Sequence, residues 1–241
     1  MKTNKQIIGE DPEKFFRGLQ TDFNEKIFSD AIPLESFKKW LNKGKEFHQA
    51  MIEDRLEIKK LLTFLVNPIY DLDEAIKAGN FDWMYNFIKD PINRQVFELH
   101  NSRIPKMKES ELGLIHFRKQ MSTEKAIEKI DEMGFRQGVP AELYGFAKKY
   151  PEEQKKYPII ILPTMEEYKK AIKDNYSIAD LRKDSSKKTS VFLSEYGNLS
   201  SLALHHDGSE RSSNLTWLAN GWPPRWRFLV ARKKSALNLV S

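Results

Sequence analysis

The sequence predicts an α+β protein with a helical N-terminal region over 1–108, a domain of two helices and a small, mostly antiparallel sheet over 109–234, and a short tail at 235–241. Three observations carry this reading. Apolar residues recur at helical spacing before residue 108, strand-like alternation and helix signals follow one another after it, and the stretch from Leu202 to Arg232 departs in composition from everything before it.

In the N-terminal region, Asp11-Pro12 pairs an N-cap with a proline at the first helical position, and Phe15, Phe16 and Leu19 begin an apolar face. Pro33 opens a second helix, with Leu34, Phe37 and Leu41 at helical spacing and Gly44 at its end. A long helical segment is expected from Lys45 to about Val66, ended by Pro68. Asp71, Asp73 and Glu74 then stand in a first helical turn, where acidic side chains complement the macrodipole, and no third ligand stands at a calcium-loop spacing. The aromatic run Phe81, Trp83, Tyr85, Phe87 reads as helix packing and a contact with the second domain. Pro91, Pro105 and the charged cluster Lys106, Lys108, Glu109 mark the domain boundary.

Beyond it, Leu112 to Met121 alternates as a strand. Ser122 caps a helix whose stripe is Ala126, Ile127 and Ile130, and Gly134 suits its left-handed stop. Pro140 starts a second helix with Leu143, Phe146 and Ala147 on one face. The run PIIILPT, Pro158 to Thr164, is a short buried strand, and Thr164 and Glu167 have capping-box spacing for a helix after it. Asp174 to Ser190 is polar and reads as a surface excursion. Three strands follow, VFLSEYG, LSSLALHH and RWRFLVAR, with a long loop from Asp207 through Pro224 before the last.

Composition narrows the function classes. Forty Lys and Arg against 34 Asp and Glu leave a formal charge of +6, yet lysines alternate with glutamates as on solvated helix faces, not as a stripe that tracks phosphates. The basic groups Arg182-Lys183, Lys187-Lys188 and Arg232-Lys233-Lys234 support only a secondary reading, a basic nucleic-acid-associated accessory protein. Absence of cysteine removes disulfides, thiolate metal sites and cysteine nucleophiles. There is no G-x-S-x-G elbow, phosphate-binding loop, dinucleotide glycine fingerprint or H-E-x-x-H, so neither an enzyme nor a cofactor is expected. His205 and His206 are neighbours on a strand and point to opposite faces, which argues against a shared metal ion. No apolar run is long enough to span a membrane and the N-terminus lacks a signal-peptide core, so a soluble chain is expected.

The segment 202–232 holds three of the five tryptophans among His, Asp, Ser and Asn, the mixture that recognition surfaces favour. The order strand, helix, helix, short strands and closing strand, with WRFLVAR matching the form aromatic-Arg-Phe-x-x-x-Arg, resembles the C-type lectin-like variable proteins of diversity-generating retroelements, their archaeal members in particular. The resemblance covers about 112–233. It implies a non-enzymatic binding protein whose hypervariable surface takes a protein or glycan ligand, on another cell in such systems, with the first strand of the domain paired to Arg225–Arg232. It also implies variable ligand contacts at His205, His206, Asp207, Ser209, Arg211, Ser213, Asn214, Trp217, Asn220, Trp222, Arg225 and Trp226. Neither a Glu-Pro-Asn nor a Trp-Asn-Asp triplet is present, so calcium-mediated sugar binding is not implied.

Overall fold

The structure, a computed structural model, describes residues 63–208 and 210–233. The expected helices before residue 63, the tail at 235–241 and Ser209 lie outside the described residues. Along the described chain the elements are β1 (Thr63–Val66), α1 (Leu72–Gly79), β2 (Trp83–Met84), α2 (Pro91–Asn101), β3 (Ser110–Ile115), α3 (Thr123–Glu132), β4 (Phe135–Gln137), α4 (Pro140–Lys149), α5 (Pro151–Lys156), β5 (Ile159–Ile160), α6 (Met165–Asp174), α7 (Ile178–Lys183), β6 (Phe192–Leu193), β7 (Leu199–Asp207), β8 (Glu210–Trp217) and β9 (Arg227–Arg232). The architecture is α+β. The strands form one mixed sheet in the order β1-β3-β9-β5-β7-β8-β2, with β4 also beside β9 and β6 beside β7.

Period-2 alternation explains how this sheet is buried on both faces. Ile159, Leu202, Leu204, Leu215, Leu229 and Ala231 face a core completed by Phe64, Val66, Phe97, Tyr144 and Phe146. Ile160, Ala203, Phe228 and Val230 face the opposite core, with Ala126, Ile127 and Ile130 of α3 and with Trp222 and Trp226. The expected pairing of the first strand with the last is present, with Leu112 opposite Ala231 and Ile115 opposite Phe228 in an antiparallel ladder.

Several elements form for the reasons the sequence suggests. Ser122 accepts from the Lys125 amide at 3.3 Å, and Gly134 takes φ 80°. Thr164 and Glu167 close a capping box, the Glu167 carboxylate accepting from the Thr164 amide at 2.8 Å. Asp71 accepts from the Glu74 amide at 2.8 Å, and Asp73 meets Arg94 at 2.9 Å, so the acidic turn is a helix start tied to α2.

Other expectations are corrected. The boundary near Lys108 is not a domain boundary in the described chain, because β1 pairs with β3 across it and Val96 and Phe97 of α2 share a core with α4 and β7. The last residues of the helix expected to reach Val66, Thr63–Val66, are strand β1. The strand expected from Leu112 to Met121 ends at Ile115, and Met121 instead makes a lone bridge to Trp222. Of the run Phe81–Phe87, Phe81 does pack on a helix, meeting Tyr144 of α4 edge-on at 5.8 Å, but Trp83 and Met84 form an edge strand running parallel to β8. The excursion 174–190 contains α7, capped by Ser177, whose hydroxyl accepts from the Asp180 amide at 3.1 Å.

Two buried polar devices join distant segments. Asn93, fully buried, donates to the Leu193 carbonyl and accepts from the Leu193 amide, each at 2.8 Å, so its amide substitutes for a neighbouring strand beside β6. Glu142, also fully buried, pairs with Arg136 at 2.6 Å and accepts from the Ser110 hydroxyl at 2.7 Å and the Val139 amide at 3.1 Å. Gly145 lets α4 lie against the chain after β1, since a Cβ there would stand 2.4 Å from the Asn67 carbonyl oxygen.

Removing one partner of a buried, hydrogen-bonded ion pair leaves the other charge stranded, which typically costs about 3 kcal/mol or more. Glu142→Ala is therefore expected to lower the stability read by urea denaturation by about 3 kcal/mol, whereas Asp73→Ala, in a solvent-exposed pair, lowers it far less.

Candidate ligand-binding face

The stretch expected as a loop from Asp207 to Pro224 is mostly strand. β7 turns through Gly208, at φ 56°, and returns as β8 in an unbroken antiparallel register from Asp207 opposite Glu210 to Ser200 opposite Trp217. The strand escapes a hydrophobicity reading because its inward positions are Arg211, Ser213 and Leu215, and two of these three are polar. Each polar one has its partners built in. Arg211 donates to the Ala147 carbonyl at 2.9 Å and the Asn80 carbonyl at 3.3 Å, and Ser213 shares a 3.0 Å hydrogen bond with the Tyr144 hydroxyl.

The alternate positions form the other face. Ser201 and Ala203 are covered there by the second core, but the cover stops at His205. From that point His205, Ser212, Asn214 and Thr216 are half-buried, and Asp207 and Glu210 are exposed at the hairpin tip. His205 Nε2 lies 3.0 Å from Thr216 Oγ1, a contact between positions several residues apart along the ladder, which requires the ribbon to coil toward this face. The His205 ring meets Trp226 edge-on at 5.0 Å, and Trp226 in turn meets Trp222 at 5.1 Å. Trp222 is anchored, its indole N–H donating to Thr123 Oγ1 at 3.0 Å. The tryptophans are thus the floor under the histidine.

The expected contact residues separate cleanly. His205, Asp207, Asn214, Asn220 and Arg225 lie on or beside this polar face, half-buried or exposed. Arg211, Ser213, Trp222 and Trp226 are buried, and a buried side chain that satisfies the scaffold is not a free surface contact. His206 is half-buried on the reverse face, and Trp217 is exposed at the far end of β8 on the same side as Leu215. Ser212 and Thr216 were missed; strict alternation from Leu215 inward is the signal that finds them.

No group of three His, Asp or Glu side chains among the described residues is placed to hold a metal ion. No helix among them is long and apolar enough to cross a membrane. Of the basic groups, Arg182 is engaged with Asp90 at 2.8 Å and Lys233 with Asp131 at 2.5 Å, which weakens them as phosphate contacts.

Burial drives the His205 pKa down to about 4, with the charges of Arg225 and His206 acting in the same direction. The imidazole is therefore neutral near pH 7 and offers one donor and one acceptor. Between the ordinary histidine value and about 4 the unfolded chain holds a proton that the folded chain refuses. This contribution to stability is complete above pH ~6.5 and is lost as pH falls toward 4. The expected loss is about 2 kcal/mol by pH ~4.5. Urea titrations of His205→Gln against the parent chain over this range should show a shallower acid dependence in the variant; parallel curves would remove the assignment.

In comparisons with protein-family models, with curated proteins and with solved structures, nothing matches this chain.

Proposed function

We propose that the chain is a non-enzymatic binding protein whose recognition surface is the polar face of the β7–β8 hairpin together with the exposed residues Ala219, Asn220, Pro223, Pro224 and Arg225. The observation that carries this reading is the division of β8 by alternation. Arg211, Ser213 and Leu215 are locked into the core, while Ser212, Asn214 and Thr216 open outward over a tryptophan floor. A surface of this kind tolerates exchange of its outward side chains because their backbone is held by a ladder that does not depend on them. That is the physical requirement for a variable contact surface. It supports the retroelement reading, with a C-type lectin-like scaffold whose terminal strands β3 and β9 pair beneath the site, and with a protein or glycan as ligand.

Simultaneous substitution of Ser212, Asn214, Thr216 and Asn220 is expected to leave stability within about 1 kcal/mol. Arg211→Ala, which abandons the buried Ala147 carbonyl and a second, partly buried bond to Asn80, should cost about 2 kcal/mol. A displayed library randomised at those four positions should consequently remain folded and yield binders to an arbitrary test protein such as lysozyme. Unfolding of most members would sink the proposal. The gene offers a separate check: a near-copy of the 3′ coding end that differs at template adenines, beside a reverse-transcriptase gene, is expected, and an intact locus with neither removes the retroelement part of the reading.

A further inference from the structure

We infer that the β2 edge of the sheet carries a shallow platform for a neutral oligosaccharide, with Trp83 beside Ser212 on the same face of the sheet as the hairpin's outward side chains. Trp83, Tyr85 and Phe87 stand in a row, with ring centroids 6.3 Å apart in the first pair and 6.5 Å in the second. They line one wall of an open cavity of about 480 Å³, within the range of small-ligand sites. Trp83 is 49 % exposed, high for the largest apolar side chain on a two-residue strand whose backbone already pairs with Ser212 and Ser213.

The rings and the rim select the ligand class. Adjacent rings are inclined by only 34° and 44°, so they present successive faces and not the perpendicular walls that form slots for proline side chains. Successive faces suit the flat C–H faces of pyranose rings. The rim adds Asn86, Lys89 and Glu195, which together offer amide donors and an acceptor, an ammonium donor and a carboxylate acceptor. That is the two-way hydrogen-bonding complement of sugar hydroxyls. The two charges balance, so the rim favours neither a polyanion nor a basic peptide. Asp90, also at the cavity, is already engaged, accepting from the Ile92 amide at 3.0 Å and from Arg182 at 2.8 Å. Tyr85 is fixed in place because its hydroxyl accepts from the Glu195 amide at 3.2 Å, which ties the platform to the loop after β6.

The test uses the full chain and three neutral trisaccharides, chitotriose, cellotriose and mannotriose, with tryptophan fluorescence and calorimetry as readouts. At least one should bind saturably. Its affinity should fall about tenfold or more in Trp83→Ala and severalfold in Glu195→Ala, with far-UV circular dichroism unchanged in both, while Trp83→Phe retains part of the binding. Failure of all three sugars to saturate in the millimolar range overturns the proposal, as does binding that is indifferent to both alanine variants. Saturation instead by a proline-rich peptide, with the same sensitivity to Trp83→Ala, also overturns it and assigns the row to extended peptides.

Discussion

The Glu142 carboxylate is the constraint on which the geometry of the sheet depends. It is buried without exposure and is held at once by Arg136 on β4, Ser110 at the start of β3 and the Val139 amide at the start of α4. Both β3 and β4 pair with β9, so one charged group sets the relation of two of the last strand's three partners to helix α4. An ion pair of this kind adds little net stability over a well-packed apolar substitute, since desolvation offsets most of the attraction. What it does is penalise misplacement. Any arrangement that separates these three segments leaves a charge without its partner in a dry interior.

With β9 placed, the β7–β8 hairpin one strand away divides its two faces between an apolar core and a polar, partly open side. β5 lies between them, antiparallel to β7 and parallel to β9, so the hairpin backbone is fixed through main-chain bonds. On the core face Leu202, Leu204 and Leu215 are apolar, and Arg211 and Ser213 find partners on α4 and in the loop before β2. His205 sits at the border, where the second core ends. Burial keeps its ring uncharged, and the ring's contacts with Trp226 and Thr216 make the transition from apolar floor to open polar surface.

The parts of the fold legible in the sequence are those whose signals are local. Ser122, Pro140 and the Thr164–Glu167 pair announce helix starts because caps act within one turn. PIIILPT and RWRFLVAR announce strands because Ile159, Ile160 and Phe228–Ala231 are buried on both faces of the sheet, though only Ile159–Ile160 of the first run pairs. β8 escaped because its inward side chains are satisfied by groups remote in sequence: Asn80, Tyr144 and Ala147 lie from 64 to 131 residues away from the partners they meet. β1 and β2 escaped for a related reason, being short edge strands whose existence rests on pairing with β3 and β8 and not on their own pattern. The same limit applies to the contact residues. Composition marked the segment 202–232, but which of its side chains face outward depended on a register that only the ladder sets.

The pairing of β2 with β8 also explains how the aromatic row is held beside the outward side chains of the hairpin. β2 is attached to β8 by backbone pairing of Trp83 with Ser212 and Met84 with Ser213, continued by the Tyr85 amide donating to the Ser213 carbonyl at 3.0 Å. Before it, the Asp82 amide donates to the Arg211 carbonyl at 2.9 Å while the Asp82 carboxylate accepts from the Arg211 amide at 2.7 Å. None of these bonds uses the outward side chains of Ser212, Asn214 or Thr216. Exchange of those side chains therefore alters the hairpin face while the aromatic row keeps its position, because the strand transmits geometry through its main chain and chemistry through its side chains separately.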